Sequence, residues 1–292
     1  MNIRSINLED IYHVTEWARE EGFAPGIGDV NIYRNTDRQG LWIATLVGKP
    51  IGCIAGVRYN NDYGFLGLYI VKKEFRGNGY GIQLWKHVIN KLEDLKCIGL
   101  EAAPNRVEDY SRWGFRFSST TTRWFFNSTE ESNLITAESV PTIQGTKLLE
   151  GSQISKEIIQ SYDATREDTP RPHFLSDWLF NENGTVLALV NSEGYCLGFG
   201  RIRPCLLQSG RGHRIGPLLA DNPIIAINLL QNLLQRYSGI VLIDSPGLNR
   251  DASNVFETIG FKKISETARM YKGSQPSISL DQVYGLACLE LG

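Results

Sequence analysis

Apolar residues recur along this chain at two spacings, and the alternation between them lays out the elements. Leu8, Ile11, Tyr12 and Trp17 share roughly one face of a helix predicted over 8–22, after a short strand at 2–6. The stretch 22–29 (GFAPGIGD) reads as a loop from its glycines and proline. Strands are predicted at Leu41–Val47 and Ile51–Tyr59, joined through Gly48-Lys49-Pro50 as a hairpin. An apolar, β-branched run over 65–71 then meets a glycine-rich turn, which opens an amphipathic helix over 81–94. Cys97–Ala102 reads as a strand, Val107–Trp113 as a short helix, and Phe115–Phe126 as one or two closing strands. This interleaving predicts an α/β fold around one mixed sheet.

The second half repeats the theme. Strands are predicted at Thr185–Val190, Tyr195–Arg203, Arg214–Leu219, Ile240–Asp244 and Phe261–Tyr271, with helices at Pro223–Gln235 and Ala252–Ile259. Local matches support a repeat: IGLE at 98–101 against VLID at 241–244, and YSRWGF at 110–115 against FETIGF at 256–261. The alternative is two unrelated α/β domains. Between the halves, NSTEESNLITAESVPTIQG (127–145) is rich in Ser, Thr, Asn and Glu and reads as a linker. The expected organisation is therefore an N-terminal domain at 1–127, a linker at 128–144 and a C-terminal domain at 145–292.

Composition narrows the function. A length of 292 residues exceeds one ordinary domain, which agrees with two. The net charge is −2 with no long basic run, so nucleic acid is not an expected partner. No apolar stretch reaches about 18 residues, so no membrane span is expected. The opening MNIRSINLED has no apolar signal core, and the five cysteines are scattered without C-x-x-C spacing. A cytoplasmic location with free thiols is expected from both. The four histidines are far apart and lack ligand spacing, so no metal is expected.

The chemistry sits in FLGLYIVKKEFRGNGYG (65–81). A strand, a tight glycine turn and a helix start present unpaired backbone N–H groups at the positive end of a helix dipole, and this arrangement binds phosphate. A P-loop would need Gly-Lys-Ser/Thr, which is missing. A dinucleotide turn would need G-x-G-x-x-G, whereas glycines 77, 79 and 81 bring the third one residue early. Arg-x-x-Gly-x-Gly after a strand instead resembles the pyrophosphate motif of the GNAT superfamily of N-acetyltransferases, with Arg76, Gly79 and Gly81 in its positions.

The whole chain is similar to a two-domain, YitH-like group within that superfamily. GLYIVKKEFRGNGYG and IGLEAAPNRVEDYSRWGF carry the likeness in the first half, and RPHFLSDWL, RIRPC, RIGPLLAD and ARMYKG in the second. The resemblance implies tandem GNAT folds with acetyl-CoA bound in the first copy by Ile70, Val71, Arg76, Gly77, Asn78, Gly79, Tyr80 and Gly81. It also implies Tyr110 as the general acid, from its place in Y-x-x-x-G-F. Asn105 would either cap the following helix or touch the pantetheine arm. Glu101, a carboxylate inside an apolar strand, is the candidate base, because partial burial would raise its pKa. Glu20, Glu21 and Asp29 would either bind a cationic amine or form a solvated face.

The implied reaction is acetyl transfer to a primary amine of a small molecule or a protein. The other reading is a non-catalytic acyl-CoA-binding or sensing protein. The second half lacks the motif and has Phe256 at the position of Tyr110, so one cofactor site is expected. Arg201, Arg203, Arg211, His213 and Arg214 would either hold an anion or form an exposed basic hairpin. Two departures from the group's pattern bear on the acceptor: Phe23-Ala24-Pro25-Gly26 for Trp-Asn-Pro-Gly, and Glu101-Ala102 for Asp-Gly.

Overall fold

The computed structural model describes residues 1–130, 140–277 and 280–292; residues 131–139, most of the expected linker, and 278–279 lie outside the described residues. The first half runs β1 (Asn2–Ser5), α1 (Asp10–Glu20), α2 (Asp29–Thr36), β2 (Leu41–Leu46), β3 (Lys49–Arg58), β4 (Tyr63–Val71), α3 (Tyr80–Lys91), β5 (Cys97–Ala102), α4 (Val107–Ser111) and β6 (Arg116–Asn127). The second runs β7 (Thr146–Glu150), α5 (Lys156–Asp163), α6 (Pro172–Leu179), β8 (Thr185–Asn191), β9 (Cys196–Leu206), β10 (Arg211–Ala220), α7 (Pro223–Leu234), β11 (Ile240–Pro246), α8 (Ala252–Ile259), β12 (Lys262–Gly273) and β13 (Val283–Gly285). The mixed α/β class and the expected strands are present. Helices α2, α5 and α6, of eight residues each, are additions to the expected elements.

One continuous sheet joins the halves in the order β1-β2-β3-β4-β5-β12-β6-β11-β10-β9-β8-β7. The closing strands are exchanged. β12 of the second half lies between β5 and β6, and β6 of the first lies between β12 and β11. Each half thus lends the other one long strand, β6 from the first and β12 from the second.

Parallel strands part in both halves. β4 and β5 pair from Tyr63↔Cys97 to Leu66↔Leu100, and then diverge. β10 and β11 pair only from His213↔Val241 to Ile215↔Ile243. In the second half the wedge is filled by the chain itself: β13 pairs with β10, and the Leu286 N–H donates to the Asp244 carbonyl at 2.8 Å.

Helix α3 covers one face of the first half through Leu84, Trp85 and Val88, which sit in one core with Ile54, Leu66 and Leu100. Helix α7 does the same for the second half through Leu229, Leu230 and Leu233. Its start is set by Asn222, whose side chain accepts from the Ile224 and Ile225 N–H groups at 3.1 Å, followed by Pro223 in the first turn. A third core spans both halves and includes Trp17, Tyr33, Phe65, Phe174, Trp178, Leu286 and Leu291. The segment from Val283 to Gly292 is therefore largely interior, which its apolar LACLEL composition accounts for.

Of the basic residues read as either an anion site or an exposed hairpin, Arg201, Arg203 and Arg214 are buried, and the exposed-hairpin reading fails for them. Arg203 pairs with Asp29 at 3.0 Å and Arg214 with Asp244 at 2.7 Å. Asp29 belongs to the first half, so its pairing with Arg203 ties α2 to β9 and the expected solvated face is lost for this residue. Arg123, from the exchanged strand β6, also pairs with Asp244 at 2.7 Å. Burial alone would raise the Asp244 pKa, yet Arg123 and Arg214 together hold it below the usual carboxylate value.

Candidate active site

The parting of β4 from β5 opens a cavity. β4 carries a bulge, because Leu68 and Tyr69 together face Ile54 between the pairs Ala55↔Gly67 and Cys53↔Ile70. Leu68 sits at φ 48°, an unusual conformation for a leucine, and is buried. The bulge turns the strand away from β5 and leaves the β4 edge beyond Leu66 unpaired with it.

Beyond Val71 the chain makes one 3₁₀ turn (Lys73–Phe75) and enters the glycine loop. Gly79 stands at φ 77° immediately before α3, and no side chain caps the helix. A Cβ at Gly77 or Gly79 would meet nothing within 4 Å, so the space over the helix start is open to a ligand. Gly81 makes room for a cavity side chain: a Cβ there would stand 2.7 Å from the Tyr69 hydroxyl and would displace it. Asn78 braces the loop by donating to the Arg76 carbonyl at 3.1 Å. The Tyr80 ring meets Phe75 edge-on. Arg76 donates from Nε to the Val71 carbonyl at 2.7 Å and from Nη2 to Glu21 at 2.6 Å, so it spans from the end of β4 to the end of α1.

Ile70, Val71, Arg76, Gly77 and Gly81 line a cavity of about 880 Å³. Glu101, Asn105 and Tyr110 line the same cavity from the β5 side. Asn78 and Gly79 in the loop and Tyr80 at the first position of α3 stand outside this lining. Helix α4 has no side-chain cap, which removes that role for Asn105 and leaves it exposed at the cavity.

Tyr110 packs on Trp85 with ring centroids 5.2 Å apart and on Phe115 at 6.4 Å. Burial raises its pKa, with Arg106 opposing and Asp109 adding. Tyr69, which sequence reasoning did not single out, also lines the cavity, and burial with Tyr110 nearby pushes it up to about 12. Both phenols therefore stay protonated at neutral pH. Glu101 Oε1 accepts from the Thr121 hydroxyl at 2.8 Å and lies 3.3 Å from Arg269 Nε, while Oε2 accepts from the Thr267 hydroxyl at 2.7 Å. Burial raises its pKa against the opposing pull of Arg269 and the two hydroxyls.

Thr121 comes from β6, while Thr267 and Arg269 come from β12. Strand exchange therefore completes the floor beneath Glu101. Leu289 and Glu290 reach the cavity from the far end of the chain. Local pattern could not reveal these neighbours, because nothing near Glu101 in the sequence points to residues 20 to 190 positions away. Phe256, at the counterpart of Tyr110, is fully buried between Trp124 and Phe261. Among the described residues no group of three or more His, Cys, Asp or Glu side chains is placed to hold a metal ion. Nor is any described helix long and apolar enough to cross a membrane.

Comparison with known proteins agrees with this geometry. An acetyltransferase (GNAT) family model matches residues 8–115, and an acetyltransferase (GNAT) domain model matches residues 159–285. Holothin acyltransferase of Pseudoalteromonas sp. (strain SANK 73390) is 30% identical over 288 residues, covering 98% of this chain and 92% of that protein. The uncharacterized N-acetyltransferase YitH of Bacillus subtilis (strain 168) is 22% identical over 250 residues, covering 84% of this chain and 82% of its own length. A crystal structure from Pyrococcus horikoshii superposes with a TM-score of 0.79 at 20% identity, covering 100% of this chain and 95% of its own, which shows the shared fold. The chain thus belongs to the GNAT acyltransferases, with two GNAT domains in tandem and the splayed, glycine-capped cavity in the first.

Proposed function

We propose that the first half transfers an acetyl group from acetyl-CoA to a primary amine of a small molecule or a protein. The observation that carries this reading is the shared cavity: an open glycine loop at the start of α3, the free edge of β4, Tyr110 and Glu101 all border one space. The loop residues from Arg76 to Gly81 and the end of β4 at Ile70 and Val71 would hold the cofactor, which supplies the activated thioester. The relative named holothin acyltransferase supports transfer rather than binding alone.

The residues divide the work by their protonation. An ordinary lysine-type amine, with pKa about 10.4, is neutral in only about one molecule in 10³ at pH 7.4. Glu101, with its pKa raised by burial, would take the proton from the amine as it attacks. Backbone N–H groups on the free edge of β4 would hold the thioester carbonyl oxygen. Tyr110, still protonated, would donate to the departing sulfur, whose free thiol has a pKa near 8.5.

A screen of primary amines with acetyl-CoA, following free thiol, tests this reading. Thiol release that depends on the amine is expected. No release across a broad panel would move the first half to binding or sensing.

A further inference from the structure

We infer that Glu290 receives the acceptor's amino group, so that a residue from the far end of the chain completes the substrate pocket of the first half. This inference rests on the amine-acylating reading above.

The segment 280–292 crosses from one half to the other. It fills the wedge between β10 and β11 through β13, and then passes close over Gly216, where a Cβ would stand 2.8 Å from the Ala287 carbonyl oxygen. Next it passes close over Gly67, where a Cβ would stand 2.7 Å from the Glu290 carbonyl carbon and 2.9 Å from its Cα. Gly67 lies directly before the bulge at Leu68, where β4 leaves β5. The two glycines are counterparts in the repeated folds. In the second half the segment blocks the wedge, and in the first it forms part of the cavity wall through Leu289 and Glu290.

Two buried carboxylates border this inner wall, and their bonding differs. Glu101 accepts from two hydroxyls at 2.7 and 2.8 Å and pairs with Arg269 at 3.3 Å. Glu290 has two donors, Arg214 Nη1 at 3.4 Å and the Tyr33 hydroxyl at 3.5 Å. Both distances are at the outer limit of a hydrogen bond, while a carboxylate offers about four acceptor positions. Arg214 is mainly committed elsewhere, to Asp244 at 2.7 Å and to the Phe23 carbonyl at 3.1 Å. With only 4% of its surface exposed, Glu290 has little access to bulk water. A buried carboxylate in this state favours a further donor strongly. An amino group is such a donor, whereas a carbonyl oxygen or an anion is not.

The class of acceptor follows. Glu101 and Glu290 both border the space for the amine, while their arginine partners, Arg269 and Arg214, lie outside the cavity lining. Of the arginines in the lining, Arg76 is held by Glu21, Arg106 by Asp109, Arg112 by Glu108, and Arg123 by Asp244 and the Gly22 carbonyl. An amine with a carboxylate on its own α-carbon would place that charge against two others. The pocket therefore selects amines without an α-carboxylate.

The full chain is assayed with acetyl-CoA and matched pairs, tyramine against tyrosine and cadaverine against lysine, by thiol release. In the wild type each decarboxylated amine should show kcat/KM at least tenfold above its amino acid. Glu290→Gln should raise KM for the amine at least tenfold, change kcat less than about threefold, leave KM for acetyl-CoA unaltered and narrow the discrimination. Calorimetric CoA binding by the variant checks its fold, and if the variant does not bind CoA the wild-type discrimination decides. Unchanged amine KM in a CoA-binding variant, or equal use of the amino acids by the wild type, would overturn the assignment of Glu290 alone. Wild-type inactivity toward every amine would remove the transferase reading, and the assignment with it.

Discussion

Replacing Gly67 by alanine would drive a methyl group into the backbone of the segment that crosses β4. The new Cβ would stand 2.7 Å from the Glu290 carbonyl carbon and 2.9 Å from its Cα, both backbone atoms. The Glu290 carbonyl oxygen lies nearer still. Non-bonded heavy atoms prefer separations of roughly 3.5–4.0 Å, so strand and segment would have to part by more than about 1 Å. Neither is free to yield. β4 is pinned by β3 on one side, and the segment is held by the Tyr59 hydroxyl donating to the Leu291 carbonyl at 3.0 Å and by Arg171 donating to the Gly292 carbonyl at 3.1 Å. Overpacking of this kind costs about 1–3 kcal/mol, and each kcal/mol lowers Tm by about 2–4 °C in a chain above 150 residues. Differential scanning calorimetry should therefore show a fall of several degrees. The same shift moves Glu290, so amine KM should rise in parallel. A Tm within 1 °C of wild type, with unaltered amine KM, would refute the threading of the segment across β4.

Further expectations follow from the site and its supports. Tyr110→Phe should lower kcat by about 10²–10⁴-fold while leaving CoA affinity by calorimetry near wild type; undiminished turnover would remove the acid role. The acid limb of the kcat profile should lie above the ordinary carboxylate value of 4.5, because Glu101 is raised and acts as a base only when ionised; Glu101→Gln should abolish that limb. Asp244→Asn leaves Arg123 and Arg214 buried beside a neutral partner and should cost about 3–5 kcal/mol in urea unfolding at pH 7. Since the folded pKa of Asp244 is lowered, its stabilisation is present above the unfolded value near 3.9 and is lost as pH falls below it. The gap between wild type and this variant should therefore shrink between pH 5 and pH 2.

What could be read along the chain was what local pattern controls. The 65–71 strand, the glycine turn and α3 are contiguous, so their apolar spacing and glycines carry the proposed cofactor cradle in plain view. Tyr110 was legible for the same reason, four residues before a Gly-Phe pair. Arg203 and Arg214 were misleading, because basic residues in a strand ordinarily face water and only Asp29 and Asp244, brought by distant elements, make their burial tolerable. The floor beneath Glu101 was hidden for a related reason. Thr121, Thr267 and Arg269 belong to strands exchanged between the halves, and an exchange of strands leaves no periodic trace. Glu290 was hidden most deeply, since its backbone reaches the cavity only after filling the wedge of the second half.

The most direct test of a single cofactor site in the first half is calorimetric titration of the full chain with CoA, alongside Gly79→Val. The variant forces a β-branched residue into φ 77° at the start of α3 and crowds the open cradle. One CoA per chain is expected in the wild type, with at least a tenfold loss of affinity in the variant. Two CoA molecules per chain, or unaltered binding by Gly79→Val, would contradict a single site in the first half.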